Sequence, residues 1–198
     1  MVDERTIAVY DAKASEYAAC FSASAPDRTL ADFIALIPQG GHVLDLGCGP
    51  GTASAHMRDA GLIPDPIDAS SAMVAIAQER HKLPARQATF DAISGTQVYD
   101  GLWANFSLLH AARADLPRHL AALAKAAKPG AILHIGMKTG AGTARDDLSR
   151  LYTYVTVEEL TDLVTTAGFT VDHLHEGAEA GLAGTVDPFV ILRGHRNG

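Results

Sequence analysis

The chain has little of what would assign it to several common protein classes. Only two of its 198 residues are cysteine, Cys20 and Cys48. That is too few for a disulfide framework or a cysteine metal cluster, so both are expected as free thiols. No run of lysine or arginine occurs and the formal charge is −7, which argues against a polyanionic partner such as DNA or RNA. No apolar stretch approaches the roughly 20 residues that cross a bilayer. The opening Met-Val-Asp-Glu-Arg lacks the basic start and apolar core of a signal peptide. A cytoplasmic chain is expected, with no membrane or nucleic-acid partner and a small molecule as substrate; the oligomeric state stays open. No serine stands in a G-x-S-x-G elbow and no G-x-x-x-x-G-K-[ST] run is present, which removes two large groups of enzymes. His173 and His175 lie two apart with no third ligand nearby, so no metal site is expected.

What is present is a regular alternation of helix and strand signals in a chain that is 47% hydrophobic and 20% charged. Such a chain is long enough for one three-layer domain, and the alternation predicts an α/β fold built on a doubly wound sheet. Helices are expected over 7–21, 27–37, 51–60, 70–81, 115–127 and 156–167. Strands are expected over 42–46, 64–68, 85–89, 99–104, 131–137, 170–175 and 187–193. Lys128-Pro129-Gly130 and Ala167-Gly168-Phe169 read as helix stops. Pro64 and Pro66 cannot donate to a ladder, so the regular part of their strand is expected to be short. Division at residue 40 gives an N-terminal helical lid, 1–40, ahead of a core, 41–198.

The most telling stretch is 42–52, His-Val-Leu-Asp-Leu-Gly-Cys-Gly-Pro-Gly-Thr. Val43, Leu44 and Leu46 read as a buried parallel strand. Gly47, Gly49 and Gly51 form a turn with no Cβ to hold a ligand off the main chain. Asp45 sets a negative charge at the strand's end, which suits a nucleoside with a positive amino-acid tail and repels a pyrophosphate. The dinucleotide fingerprint G-x-G-x-x-G differs in its spacing, so a nicotinamide-dependent oxidoreductase is disfavoured. About 20 residues beyond the first glycine comes Asp68, the separation at which a second strand offers a carboxylate to a ribose diol. Ser70 then reads as the cap of a helix carrying Met73, Ile76 and Ala77 on one face.

The pattern Asp45-x-Gly47-x-Gly49-x-Gly51 resembles the first motif of the Rossmann-like (class I) S-adenosylmethionine-dependent methyltransferases. Arg-Gln-Ala-Thr-Phe-Asp and Tyr-Asp-Gly-Leu-Trp-Ala-Asn-Phe-Ser-Leu-Leu-His resemble a bacterial small-molecule branch of that family that includes the tellurite-resistance type. The resemblance implies a mostly parallel seven-stranded sheet with helices on both faces and an antiparallel last strand. It also implies S-adenosylmethionine as cofactor and in-line methyl transfer to a small molecule. By it, Tyr17, Asp45, Gly47, Cys48, Gly49, Asp68, Ala69, Met73, Thr89, Phe90 and Asn105 are expected around the cofactor. Within that set Asp68 is expected at the ribose, Thr89 and Phe90 at the adenine, and Asn105 below the methyl-bearing sulfur.

Several roles keep two readings. Phe90 is an adenine contact or a core aromatic, and Asp91 an adenine acceptor or a turn cap. His110 and Lys138 lie near the carboxyl ends of central strands, where either is a candidate base or substrate anchor as well as a structural residue. Tyr10, Asp11 and Tyr17 belong to a lid helix or to an ordinary amphipathic one. Residues 146–160, with Arg150, Tyr152, Tyr154, Glu158 and Glu159, resemble the branch's substrate side, where an arginine and tyrosines would receive a small acid or phenol. Phe-Ser-Leu after Asn105 departs from the Asp/Asn-Pro-Pro-Tyr motif of enzymes that methylate DNA bases or protein amides. The alternative to an enzyme is a module that binds the cofactor and transfers nothing.

Overall fold

In a computed structural model that describes residues 3–20, 23–180 and 184–198, the strand expected over 42–46 forms as β1, His42–Leu46. It lies inside a seven-stranded sheet of order β3-β2-β1-β4-β5-β9-β8. The further strands are β2 Ile63–Asp68, β3 Arg86–Gln87, β4 Tyr99–Asn105, β5 Ala127–Lys138, β8 Phe169–Ala180 and β9 Val186–Arg196. Pairings from β3 through β5 are parallel, and β9 runs antiparallel to both β5 and β8. The fold is the α/β class expected.

Strand periodicity assigns side chains to the two faces. Leu44, Leu46, Leu102, Ala104, Leu133 and Ile135 face one way, into a large apolar cluster with helices α5, Leu116–Ala126, and α6, Val157–Thr166. Val43 and Trp103 face the other way, against Leu30, Phe33 and Ile37 from α2, Arg28–Leu36, with its C-cap, and Met57 of α3, Thr52–Asp59. Hydroxyl and carboxyl side chains start three helices. Asp27 accepts from Leu30 N–H, Ser70 from Met73 N–H at the head of α4, Ser71–His81, and Thr156 from Glu159 N–H.

Four differences from expectation have local causes. The strand through Pro64 and Pro66 is not short: it spans Ile63–Asp68. Ile63 donates to Gly41 and Ile67 accepts from Gly47, so odd-numbered backbone groups of β2 face β1. The prolines therefore face the β3 side, where pairing occurs only at Ile67 and Asp68, and their missing N–H groups cost no ladder bond. Lys128-Pro129-Gly130 follows a helix end as expected, but it lies within a strand. α5 stops at Ala126, and these residues bulge out of β5, whose register against β4 shifts between Tyr99 and Gly101. The bulge is tied down by Lys128 on Asp100 at 2.8 Å. β8 and β9 also run further than expected, through Gly177 to Ala180 and from Val186. Of the connection between them, 181–183 lies outside the described residues. Lastly, an unexpected small hairpin, β6 Thr143–Arg145 with β7 Leu151–Thr153, stands between β5 and α6.

The N-terminal helix α1, Glu4–Cys20, starts earlier than expected; Phe21, the last residue expected in it, lies outside the described residues. Of the two helices before β1 only α1 borders the cleft described below, whereas α2 is a core element. Phe33 is fully buried, with its ring 5.0 Å from that of Trp103. Phe33→Ala is expected to lower the unfolding free energy by about 3–5 kcal/mol, read from the midpoint of urea denaturation. A loss below about 1 kcal/mol would show that α2 is not needed to close this face.

Candidate functional site

The carboxyl ends of β1, β2 and β4 open into one cleft, closed on the outer side by α1. It holds about 890 Å³ of unfilled space, open solvent at its mouth included. Gly47 and Gly49 form its floor at φ 75° and 53°, a region that favours glycine. A Cβ on Gly47 would come within 2.4 Å of Ser107 Cβ, so the turn and the β4 loop touch only because the position is bare. Tyr17 lies above, its Cε1 3.7 Å from where a Gly49 Cβ would be.

Asp68 holds these loops together. One carboxylate oxygen accepts from Gly49 N–H and the other from Ser70 N–H, each at 2.8 Å. Burial raises its pKa, against the backbone donors that lower it. Each oxygen keeps a lone pair for a hydroxyl. Ser70 Oγ in turn donates to Asp11 of α1 at 2.6 Å, and Ala72 N–H reaches the same oxygen. Ala69, Met73, Phe90 and Asn105 also line the cleft. Asn105 Oδ1 accepts from His134 Nε2 at 2.9 Å. The His134 ring is stacked on Trp103 at 3.7 Å and driven down to a pKa of about 3 by burial.

His110 borders the cleft with both nitrogens engaged. Leu151 carbonyl can only accept, so Nδ1 carries the proton in their 2.6 Å bond. Nε2 then accepts from Tyr10 hydroxyl at 2.8 Å, and that phenol oxygen accepts from Arg150 Nη1 at 3.1 Å. Burial pushes the imidazole down to about 4. The ring is neutral near pH 7, and its basic nitrogen is filled by a phenol rather than open to a substrate.

Four expected site residues do not reach the cleft. Asp45 points to the α3 face, 2% exposed, and accepts from Ser54 Oγ at 2.6 Å; burial pushes its carboxyl up to about 7. The Cys48 thiol is buried and its pKa is raised, mainly by desolvation. Thr89 caps the short turn at 90–92, accepting from Asp91 N–H. Lys138 pairs with Asp187 at 2.5 Å and sits 4.0 Å above the Tyr152 ring. Asp91, which does border the cleft, pairs with Arg118 at 2.6 Å.

Arg150, expected with nearby tyrosines to receive a small acid or phenol, is 2% exposed and spent within the protein. Its Nε and Nη2 both bond Asp146, at 2.9 and 2.7 Å. Residues that the sequence did not single out also line the cleft, among them Asp3, Thr6, Ser107, Asp115 and His119. Ser107 is 6% exposed, and its hydroxyl has no hydrogen-bond partner. Its place two residues after Asn105 was the one available signal; Asp3 and His119 offered none. Asp3 joins α1 to the small hairpin, pairing with Arg145 at 2.6 Å, and Thr6 Oγ1 accepts from Leu151 N–H.

The buried rings give a pH dependence with a definite sign. Between about pH 6.5 and 4 an unfolded histidine binds the proton that folded His110 refuses, so stability falls as pH falls through this window, by at most about 1.4 kcal/mol per unit for each such ring. Asp45 acts oppositely, since its raised carboxyl keeps a proton that the unfolded chain has lost. Acid-side destabilisation should therefore be steeper in Asp45→Asn than in the parent. Imidazole nitrogen shifts should show His110 as the neutral Nδ1–H form down to about pH 5; titration near 6.5 would contradict the buried bonding described.

The model of a family described as a methyltransferase domain matches residues 17–174. Trans-aconitate 2-methyltransferase of Delftia acidovorans is 37% identical over 121 residues, 56% of this chain and 43% of that protein. The O-methyltransferase cnsE of Penicillium expansum is 36% identical over 106 residues, 49% of this chain and 38% of that protein. The chain thus spans less than half the length of these two curated relatives. A crystal structure of the Burkholderia thailandensis 1,6-didemethyltoxoflavin-N1-methyltransferase, with 1,6-didemethyltoxoflavin and S-adenosylhomocysteine bound, matches at a TM-score of 0.75 and 17% identity. That match covers 98% of this chain and 88% of the other, and it shows a shared fold.

Proposed function

The chain belongs to the methyltransferase-domain family, and from that premise we propose that it is an S-adenosylmethionine-dependent methyltransferase acting on a small molecule. The observation that carries this reading is Asp68, a half-buried carboxylate fixed by two backbone N–H groups at the rim of a bare glycine turn. Ser107 supports it, since a buried hydroxyl without a partner calls for a ligand. In this reading Asp68 takes the ribose hydroxyls, Phe90 and the backbone at Thr89 the adenine, and Gly47, Gly49, Ala69, Met73, Asn105 and Tyr17 the remainder. Asp45 and Cys48 act from beneath by shaping the turn. When bound, the cofactor supplies a methyl group on a sulfonium, open to in-line displacement. The chain itself supplies alignment and exclusion of water: α1 roofs the cleft, and Tyr10 and His110 fix its inner wall. With His110 Nε2 filled and Lys138 away from the cleft, acceptors that need no protein base are favoured. The same observation keeps a second reading alive, that of a module binding the cofactor without turnover.

We place a single unit of this kind in the cytoplasm of a bacterium, a setting that two unpaired cysteines, one exposed and one buried, support. The resemblance to the tellurite-resistance branch belongs to the same proposal, as does the lack of a nucleic-acid partner. Titration calorimetry should show binding of S-adenosylmethionine and S-adenosylhomocysteine but not NADH. Asp68→Ala should weaken that binding by about 1–3 kcal/mol, the cost of losing a charged hydrogen-bond acceptor. No binding by either adenosyl compound would refute the reading, and unchanged affinity in the variant would refute the ribose assignment.

A further inference from the structure

We propose that His134 is a positioning residue that turns the Asn105 amide so that its NH2 group faces the cleft, where it and the Ser107 hydroxyl take the carboxylate at the amino-acid end of the cofactor. The identity of that ligand rests on the methyltransferase reading; the orientation of the amide does not. Asn105 Oδ1 lies 2.9 Å from His134 Nε2. Burial, and the guanidinium of Arg193 opposite His134 on β9, keep the ring neutral, so it has a single N–H to give. A carbonyl oxygen can only accept, and that N–H is spent on it. The ring is clamped in place, stacked on Trp103 at 3.7 Å and met edge-on by Phe33 at 6.3 Å. Gly136 leaves room for the bond, since a Cβ there would come within 2.9 Å of Asn105 Oδ1. Asn105 borders the cleft and makes no other side-chain hydrogen bond among the described residues. Its two amide N–H groups are what it has left to offer.

Ser107 stands two residues further on. Between them Phe106 holds φ 53°, a left-handed conformation that is strained for a residue with a Cβ, and donates its N–H to the Gly136 carbonyl. The turn lays Ser107 against bare Gly47, buried and with its hydroxyl unpartnered. Two neutral donors therefore stand at the β4 end of the cleft. Other donors on the wall are spent. The N–H groups of Gly47 and Cys48 bond the Ile67 carbonyl, and that of Gly49 bonds Asp68. Tyr10 hydroxyl goes to His110, and the hydroxyls of Thr6 and Ser70 go to Asp3 and Asp11. The cations Lys138 and Arg150 are paired with Asp187 and Asp146.

Strand order says which end of the cofactor arrives here. β2, β1 and β4 lie side by side and parallel, so Asp68 and Asn105, which end β2 and β4, stand two strand spacings apart, roughly 10 Å. With the adenine at Phe90, after β3, and the ribose at Asp68, a cofactor that is linear from base to amino acid runs past the glycine turn to β4. Its amino-acid end carries an ammonium, which cannot pair with an NH2 group, and a carboxylate, which accepts from both an amide and a hydroxyl. The arrangement repeats the way Asp68 itself is held, a carboxylate on neutral donors.

Calorimetry on the full chain with S-adenosylhomocysteine and with 5′-methylthioadenosine, which lacks the amino-acid end, separates this contact from general damage. The parent should bind S-adenosylhomocysteine the more tightly. Ser107→Ala and His134→Leu should each weaken that binding at least about fivefold and leave 5′-methylthioadenosine within about twofold. His134→Gln, whose amide can donate as Nε2 does, should recover most of the loss. Imidazole nitrogen shifts of the parent should show His134 in the Nε2–H form. Equal losses for both compounds, no loss in Ser107→Ala, a glutamine no better than leucine, or the Nδ1–H form of His134 would each overturn the proposal. Should His134→Leu not fold, Ser107→Ala and the spectrum of the parent still decide it. If neither compound binds the parent, the methyltransferase reading fails and the carboxylate assignment with it, while the spectrum still reads which way Asn105 is turned.

Discussion

The cleft depends on one carboxylate held by main-chain donors, with no cation paired to it among the described residues. Asp68 is half-buried, and its two oxygens are satisfied by main-chain N–H groups from different loops. A charge so far withdrawn from water is tolerated only while those donors stay aligned. The requirement runs outward from there: Gly49 must keep its left-handed turn, Ser70 must start α4, and Asp11 of α1 must meet the same helix end. The floor, one wall and the roof of the cleft are thus fixed through a single acid.

A second set of bonds governs the far end. Arg150, Tyr10 and His110 form a chain in which each group has only one way to satisfy the next. Asp146 neutralises the guanidinium, the guanidinium orients the phenol, and the phenol occupies the imidazole. The chain links β7, α1 and the loop after β4, and it keeps formal charge out of the cavity wall at a place where an arginine and a histidine lie close together. Burial of such groups is sustained by their mutual hydrogen bonding, which explains how the largest fully buried side chain among the described residues is an arginine.

Much of this was legible in the sequence, for physical reasons that differ from element to element. β1, the glycine turn, the Ser70 cap and the placing of Asp68 follow from local rules: apolar runs, bare backbone and short polar side chains at helix starts. The β5 bulge and the β6–β7 hairpin were not legible, because Lys128-Pro129-Gly130 and 143–153 take their form from contacts distant in the chain, such as Asp100 and Asp3. The inward turn of Arg150 was hidden for the same reason, since an arginine reads as a surface residue until a buried acid four positions earlier claims it. Asp45 and Lys138 sit where the strand ends promised, but strand alternation sends Asp45 to the opposite face and a salt bridge draws Lys138 aside. His119 reaches the cleft from the middle of an amphipathic helix, which marks no position as special.

The two prolines of β2 have a consequence beyond their own strand. Their side of β2 pairs with β3 only at its last two residues, although both prolines are themselves buried. Along the unpaired part Pro64 and Pro66 present carbonyls but no N–H groups. A foreign strand laid there would find half of the ladder missing, and self-association through that border is blocked by covalent chemistry rather than by charge or bulk. The protein can therefore hold the loops of its cleft at the end of a strand incompletely paired on one side without offering a template for aggregation.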